Sequence, residues 1–301
     1  MELAHPEFRP DPELSREEME ALQREIADAA TFTDDLPFDP DTVGVDGPVE
    51  ADSTGNERLG SSDAPVIVGI DQAFLDERAV SAIVAIQDGT VIERTHAVTP
   101  LEIPYIPGLL AFREGGPILA AFEELAVDPD LAVFDGSGRI HFRQAGIATH
   151  VGVALDLPSI GVAKSLLCGT PREPTDDRPA GWSTPIESGE SVVDRRETTE
   201  KRTERDRRSR RKPAARPPAT GSETTREQDV EAPEGTVIGH AYQSRQWDRA
   251  QSINPLYVSP GHRVSAATTV QLVDALCAGY KLPEPTRLAD RYADDVKAEY
   301  E

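Results

Sequence analysis

Apolar positions follow two rhythms along this chain, and the switches between them mark out the elements. VIVGIDQAF, from Val66, is apolar almost throughout and reads as a strand buried on both faces. AVSAIVAIQDGTVIERTHAV then predicts two more strands joined by a tight Asp88-Gly89 turn, so three neighbouring antiparallel strands are expected. LEIPYIPGLLAFREGGPILAAFEELAVDPD begins extended, held by Pro104 and Pro107. It passes into helical spacing up to about Ala126, with Gly115, Gly116 and Pro117 marking a break. DLAVFDG is a fourth strand, ATHVGVALDLP a helix, and SIGVAKSLL a short strand running into a turn. The order β-β-β-α-β-α-β predicts an α/β fold with a mixed five-stranded sheet flanked by helices.

The flanks are less regular. Residues 1–62 are polar, acidic and rich in Pro and Gly, apart from one helix started by a capping box at Ser15 and Glu18. Met19, Leu22, Ile26 and Ala29 fall on one side of it, so it is expected to dock on the main domain. Residues 34–62 read as an extended, partly disordered connector. Residues 63–301 form the second division, interrupted at about 190–233 by a segment with almost no apolar residues. Order resumes with a strand in TVIGHAYQSR. NPLYVSPGHRVSAATTVQLVDALC predicts a loop, then a helix capped near Ser265, and the tail ends in a second short helix.

Charge changes the picture in two ways. The formal net charge is -23 over 301 residues, which at first sight argues against a polyanionic partner. Between Arg195 and Arg216, however, 11 basic residues stand against 4 acidic ones, so the remainder carries -30. Five lysines against 26 arginines, with carboxylates spread along the whole chain, suggest a high-salt cytoplasm in which counter-ions screen surface repulsion. Cys168 and Cys277 are too few for a disulfide framework or a zinc site. The start lacks an apolar stretch of signal-peptide length, and no run reaches the roughly 20 apolar residues of a membrane span. A cytoplasmic monomer with no membrane partner is expected.

Three carboxylates carry the candidate chemistry. Asp71 interrupts an apolar strand, where an unpaired carboxylate would cost several kcal/mol, of order 3–5. Asp135 ends another strand, where Gly136 and Gly138 turn the chain, and Glu114 follows the apolar LLAF of a helix. Converging, these acids would make an all-oxygen site for a hard divalent ion such as Mg²⁺, suited to phosphodiester hydrolysis. The bland alternative is that they are solvated strand-end and helix-surface acids, and for Glu114 alone that alternative would win. Lys164, the sole lysine of the first 200 residues, follows apolar GVA at a strand end, where an ammonium can hold a phosphate or an attacking water. His141 and His262 lie in glycine-rich loops and are weaker candidates. Pro104 and Pro107 flank Tyr105 and Ile106 and hold them outward, as a wedge against stacked bases requires; Tyr105 plugging the core has comparable weight.

GIDQAF, IPYIPGLLAFRE, DGSGRIHFRQAGIATHVGV, SIGVAKSLL, PLYVSPGHRV and LPEPTRLADR, in this order, resemble the endonuclease V family, inosine-directed nucleases of the ribonuclease-H-like fold. The resemblance covers residues 66–182 and 235–292 closely. It implies that Asp71, Glu114 and Asp135 bind Mg²⁺, or Mn²⁺ in its place. It further implies that Lys164 and His262 assist near the scissile phosphate with His141 close by, and that Tyr105 wedges into the strand beside a flipped base. Gly108, Leu110, Gly136, Gly138, Gly146 and Ile147 would line the hypoxanthine pocket with backbone groups. The implied product is a nick at the second phosphodiester bond 3′ to inosine, with 3′-hydroxyl and 5′-phosphate ends, in deoxyinosine-containing DNA or inosine-containing RNA. Phe74 stands where the family usually has Tyr. The residues alone leave open another ribonuclease-H-like nuclease, such as a ribonuclease H or resolvase, or a non-catalytic nucleic-acid-binding module.

Overall fold

A computed structural model describes residues 1–50, 63–189, 230–246 and 253–301. Strands β1 (Ile67–Phe74), β2 (Arg78–Gln87) and β3 (Thr90–Pro100) form the expected antiparallel meander, turning at Asp88 and Gly89 with φ of 50° and 66°. β4 (Leu131–Asp135) adds parallel to β1, and β5 (Ser159–Ala163) parallel to β4. This is the mixed five-stranded core of the ribonuclease-H-like reading. The sheet does not stop there. Among the described residues it has nine strands, in the order β3-β2-β1-β4-β5-β9-β8-β7-β6, with β6 (Thr170–Pro171), β7 (Ser183–Glu187), β8 (Val237–Tyr242) and β9 (Leu256–His262).

β9 corrects the loop expected over LYVSPGH. Proline and glycine made this stretch read as a turn, yet it is buried between β5 and β8. Pro260 is accommodated by a register shift between Ser159 and Ile160, and its carbonyl accepts from the Arg139 amide at 2.7 Å.

The helices cover both faces. On one face, α2 (Leu110–Glu123) and α3 (Ile147–Leu155) bury Ile118, Leu119, Phe122 and Val151 against Val68, Ile70, Ile83 and Phe134. α1 (Arg16–Ala29), with its capping box intact, packs outside α3 through Ile26; Ala29 is exposed rather than docked. On the other face, α4 (Ala266–Ala275), capped by Ser265, buries Leu272 and Val273 against Leu131, Val133 and Ile160. α5 (Glu284–Tyr300) lies over β1 and β2 through Ala293 and Val296, and at 17 residues it is not the short helix expected.

Two further expectations need correction. α2 runs unbroken through Gly115-Gly116-Pro117, because Gly115, Pro117, Ile118 and Leu119 are all buried and packing outweighs the lost helix bond. The stretch from 34 to 50 is not an extended connector: Val43 and Val49 are buried, and Asp34 caps Ser265 and Thr268. The rest of that stretch, 51–62, lies outside the described residues, as do 190–229. At the far end of the latter, Val230 is buried with Ile140, Ile186 and Ile238, so packed chain begins before the expected boundary at 233.

Candidate active site

Register brings the first two acids together. β1 and β4 run parallel with Ile70 opposite Phe134, so the next residues, Asp71 within β1 and Asp135 at the end of β4, stand side by side on adjacent strands. Strand alternation decides their face. Ile70 and Phe134 point into the α2–α3 core, and Asp71 and Asp135 therefore point towards α5. There α5 supplies Asp290: one carboxylate oxygen from each of Asp71, Asp135 and Asp290 lies within 4.8 Å of the others. The helix can come this close because β1 has a glycine beneath it. A Cβ on Gly69 would fall 2.1 Å from the Pro285 carbonyl.

Asp290 was missed by sequence reasoning, although LADR was among the recognised motifs. A signal was available. Thr286, Ala289 and Ala293 are buried, and Asp290 follows Thr286 by four residues and precedes Ala293 by three, so an acid sits beside the helix's apolar stripe.

Glu114 arrives from the opposite face. It shares a cleft of ≈ 150 Å³ with Asp71, Asp135, Gln72, Phe74 and Ile147, but it is not one of the three acids within 4.8 Å. The expected Asp71–Glu114–Asp135 meeting point is thus a cleft in which Asp290 replaces Glu114 in the tight cluster. Gln72 Nε2 donates to the Glu114 carbonyl at 3.3 Å and to Ser81 Oγ at 2.6 Å, pinning α2 to β1.

The electrostatics follow from crowding. Burial, then the charge of Asp135, pushes the Asp71 carboxyl up to about 8, and burial raises Glu114 to about 7. Lys164 Nζ donates to Asp135 Oδ2 at 2.6 Å and lies 3.9 Å from Asp290. Burial pulls its pKa down, but the Asp135 bond and the charges of Asp135, Asp71 and Asp290 outweigh it, so the net shift is upward. Three clustered carboxylates face one ammonium, and the donors are all oxygen. That set fits a hard divalent cation such as Mg²⁺ or Mn²⁺ and does not fit a soft one.

The remaining candidates divide. Tyr105 stands 67 % exposed between exposed Pro104 and Pro107, so it does not plug the core. Ile106 turns inward to pack with Met19, Ile103, Leu109 and Phe112, contrary to the outward pair expected. Leu110 opens α2, while Gly136, Gly138, Gly146 and Ile147 run from the end of β4 to the start of α3. At Gly138 the place of a Cβ is filled by the Pro260 carbonyl at 2.3 Å, so the chain's own packing already demands glycine there. His141 is buried and bonds the Gly108 carbonyl at 3.1 Å, and it is not among the residues that line the cleft with the acids. His262 is a correction. It pairs in register with Ser159, three residues before the Val162 that faces Asp135, which is roughly 10 Å back along the strand. Its ring contacts the Asp156 carboxylate at 3.1 Å and accepts from the Thr31 amide at 3.2 Å, at the opposite end of the sheet.

The profile of the Endonuclease V family matches residues 51–204 and 215–291. The chain belongs to the endonuclease V family. An Endonuclease V of the halophilic archaeon Haloarcula marismortui is 52 % identical over 303 residues, covering 98 % of this chain and 97 % of its own. The crystal structure of the Streptomyces avermitilis Endonuclease V is 27 % identical with a TM-score of 0.62, covering 98 % of this chain and 97 % of that one. The Ciona intestinalis Endonuclease V, solved in complex with a 24mer DNA containing an inosine followed by a ribo-adenosine, shares the fold at 22 % identity and a TM-score of 0.57, covering 95 % and 98 %. The expectation of an endonuclease V-type nuclease holds. The family match contains Asp71, Glu114, Asp135, Lys164 and Asp290; α1 lies before its first residue.

Proposed function

We propose that the chain is a divalent-metal-dependent endonuclease that nicks nucleic acid at the second phosphodiester bond 3′ to (deoxy)inosine, leaving 3′-hydroxyl and 5′-phosphate ends, in repair of deaminated adenine. The observation that carries this reading is the cluster of Asp71, Asp135 and Asp290 in a chain of this family. These carboxylates would hold Mg²⁺, with Mn²⁺ as substitute, and Glu114 would orient the cluster from the α2 side. When bound, the ion supplies charge neutralisation to the phosphate.

The chain's own groups do the rest. Lys164 Nζ, held at Asp135, offers a positive charge to a phosphate oxygen at the cleft mouth. The Glu114 carboxyl, whose pKa burial raises in the metal-free protein, faces the same cleft and would accept a hydrogen bond from a water held there. Tyr105, projecting from its proline-flanked loop, would enter the stack beside the lesion. Gly108 and Leu110 on one side, and Gly136, Gly138, Gly146 and Ile147 on the other, would receive the flipped base. The Ciona intestinalis relative bound to inosine-containing DNA supports the choice of lesion.

The test is a nicking assay on matched DNA and RNA strands carrying inosine, uracil, an abasic site or no lesion, with and without Mg²⁺ in molar KCl. Cleavage confined to inosine strands and to metal-containing buffer is expected. Equal cleavage of a plain RNA–DNA hybrid, or full activity in chelator, would overturn the reading.

A further inference from the structure

Three buried side chains converge on one backbone oxygen in the loop that leads into α2. The Gly108 carbonyl accepts from Gln23 Nε2 at 3.0 Å, His141 Nε2 at 3.1 Å and Arg143 Nη2 at 3.3 Å. His141 Nδ1 accepts from the Arg143 amide at 3.2 Å, which leaves the imidazole proton on Nε2. Gln23 is the hub. Its amide nitrogen also reaches the Ala145 carbonyl at 3.4 Å, and its Oε1 accepts from Arg143 Nε at 2.7 Å. One turn earlier on the same helix, Glu20 lies 3.8 Å from Arg143 Nη2.

Gln23 is fully buried on the side of α1 that also presents Met19 and Ile26. Packing alone calls for an apolar residue there. The glutamine instead directs its polar atoms to two other segments. One ends at Gly108, after Tyr105, and leads into the helix of Glu114. The other ends at Ala145, before Gly146 and Ile147, and Ile147 lines the cleft with the acids. α1 precedes the residues matched by the family profile, yet a single side chain of it ties both loops together.

We propose that Gln23 is a positioning residue for substrate recognition: its hydrogen bonds to Gly108 and Ala145, and its hold on Arg143, set the spacing between the two loops that grip the flipped base. This rests on the reading of those loops as the base pocket. A pocket that discriminates by backbone groups needs its walls fixed to a fraction of an ångström, and a displaced wall loses selectivity before it loses chemistry.

Gln23→Met keeps the length and shape of the side chain and removes its hydrogen bonds. Steady-state nicking is measured on a strand with one inosine and on the same strand with adenosine, beside thermal unfolding. The expected result is cooperative unfolding, a KM for the inosine strand raised roughly tenfold, a smaller change in kcat, and a reduced preference for inosine. Amide hydrogen exchange over 104–110 and 144–148 in the metal-free protein should quicken in the variant, a readout that needs no activity. A lowered Tm with unchanged KM, preference and exchange would overturn the proposal. If Gln23→Met does not fold, Gln23→Glu, which still accepts from Arg143 but cannot donate to either carbonyl, is read in the same way. Wild-type protein that leaves the inosine strand intact would overturn the proposed function instead, and the exchange comparison would still decide the role of Gln23 in fixing the loops.

Discussion

Asp71, Asp135 and Asp290 are three like charges held together, and the cost of that crowding appears in the proton affinity of the site. In the metal-free protein Asp71 and Glu114 titrate near 8 and 7, whereas in the unfolded chain they release their protons near about pH 4. Between those values the native state holds more protons, so metal-free stability falls as pH rises from 5 to 9. A divalent ion needs the ionised carboxylates, so its stabilising effect grows over the same range. Thermal unfolding in EDTA and in excess Mg²⁺ should show a Tm difference that widens from pH 5 to pH 9; a difference independent of pH would contradict the site. Asp290→Asn keeps the shape and removes one charge, and is expected to lower metal affinity or nicking roughly 10- to 100-fold. Asp71→Ala should abolish cleavage while inosine-strand binding survives in a gel-shift assay. Asp71 and Asp135 were legible in sequence because a carboxylate inside an apolar strand, or at its end, is anomalous. Asp290 was harder to see, because a helix acid is ordinarily solvated and only the packing of α5 on Gly69 makes this one converge.

At the scale of elements, the apolar runs that made β1, β2, β4 and β5 were unambiguous, and the pattern failed where proline and glycine entered a buried element. LYVSPGH is a strand because its neighbours β5 and β8 offer ladders on both sides, with a bulge absorbing Pro260. α2 survives Pro117 because its buried face holds it. Both outcomes are tertiary packing overriding local propensity. The strand assignment of β9 sets His262 back along the sheet from the acids and makes it a tie between β9, the Asp156 that ends α3, and Thr31. His262→Ala should therefore lower unfolding free energy by about 1–3 kcal/mol in denaturant titration. Its nicking rate per folded molecule should match wild type; a loss of kcat at unchanged stability would restore His262 to the site.

For the whole molecule, the unusual property is an acidic body that must meet a polyanion. Outside 195–216 the chain carries -30, and that segment carries +7. Replacing 192–229 by a short Gly-Ser linker spares the packed Val230 and the Glu231 pair with Arg24. The variant should bind DNA more weakly, chiefly at lower salt, and the slope of log K against log salt should be shallower, since fewer counter-ions are released. Equal affinity at every salt concentration would show that the basic run makes no phosphate contacts. Local sequence alone determined the strands of the core, the Asp88-Gly89 turn, the Ser15 and Ser265 helix starts and two of the three clustered acids, because each is written in a few consecutive residues. Tertiary structure decided three of the four added strands (β6, β7 and β9), the path of 34–50, the entry of Asp290 and the placement of His262 away from the acid cluster, because each depends on which distant element lies alongside.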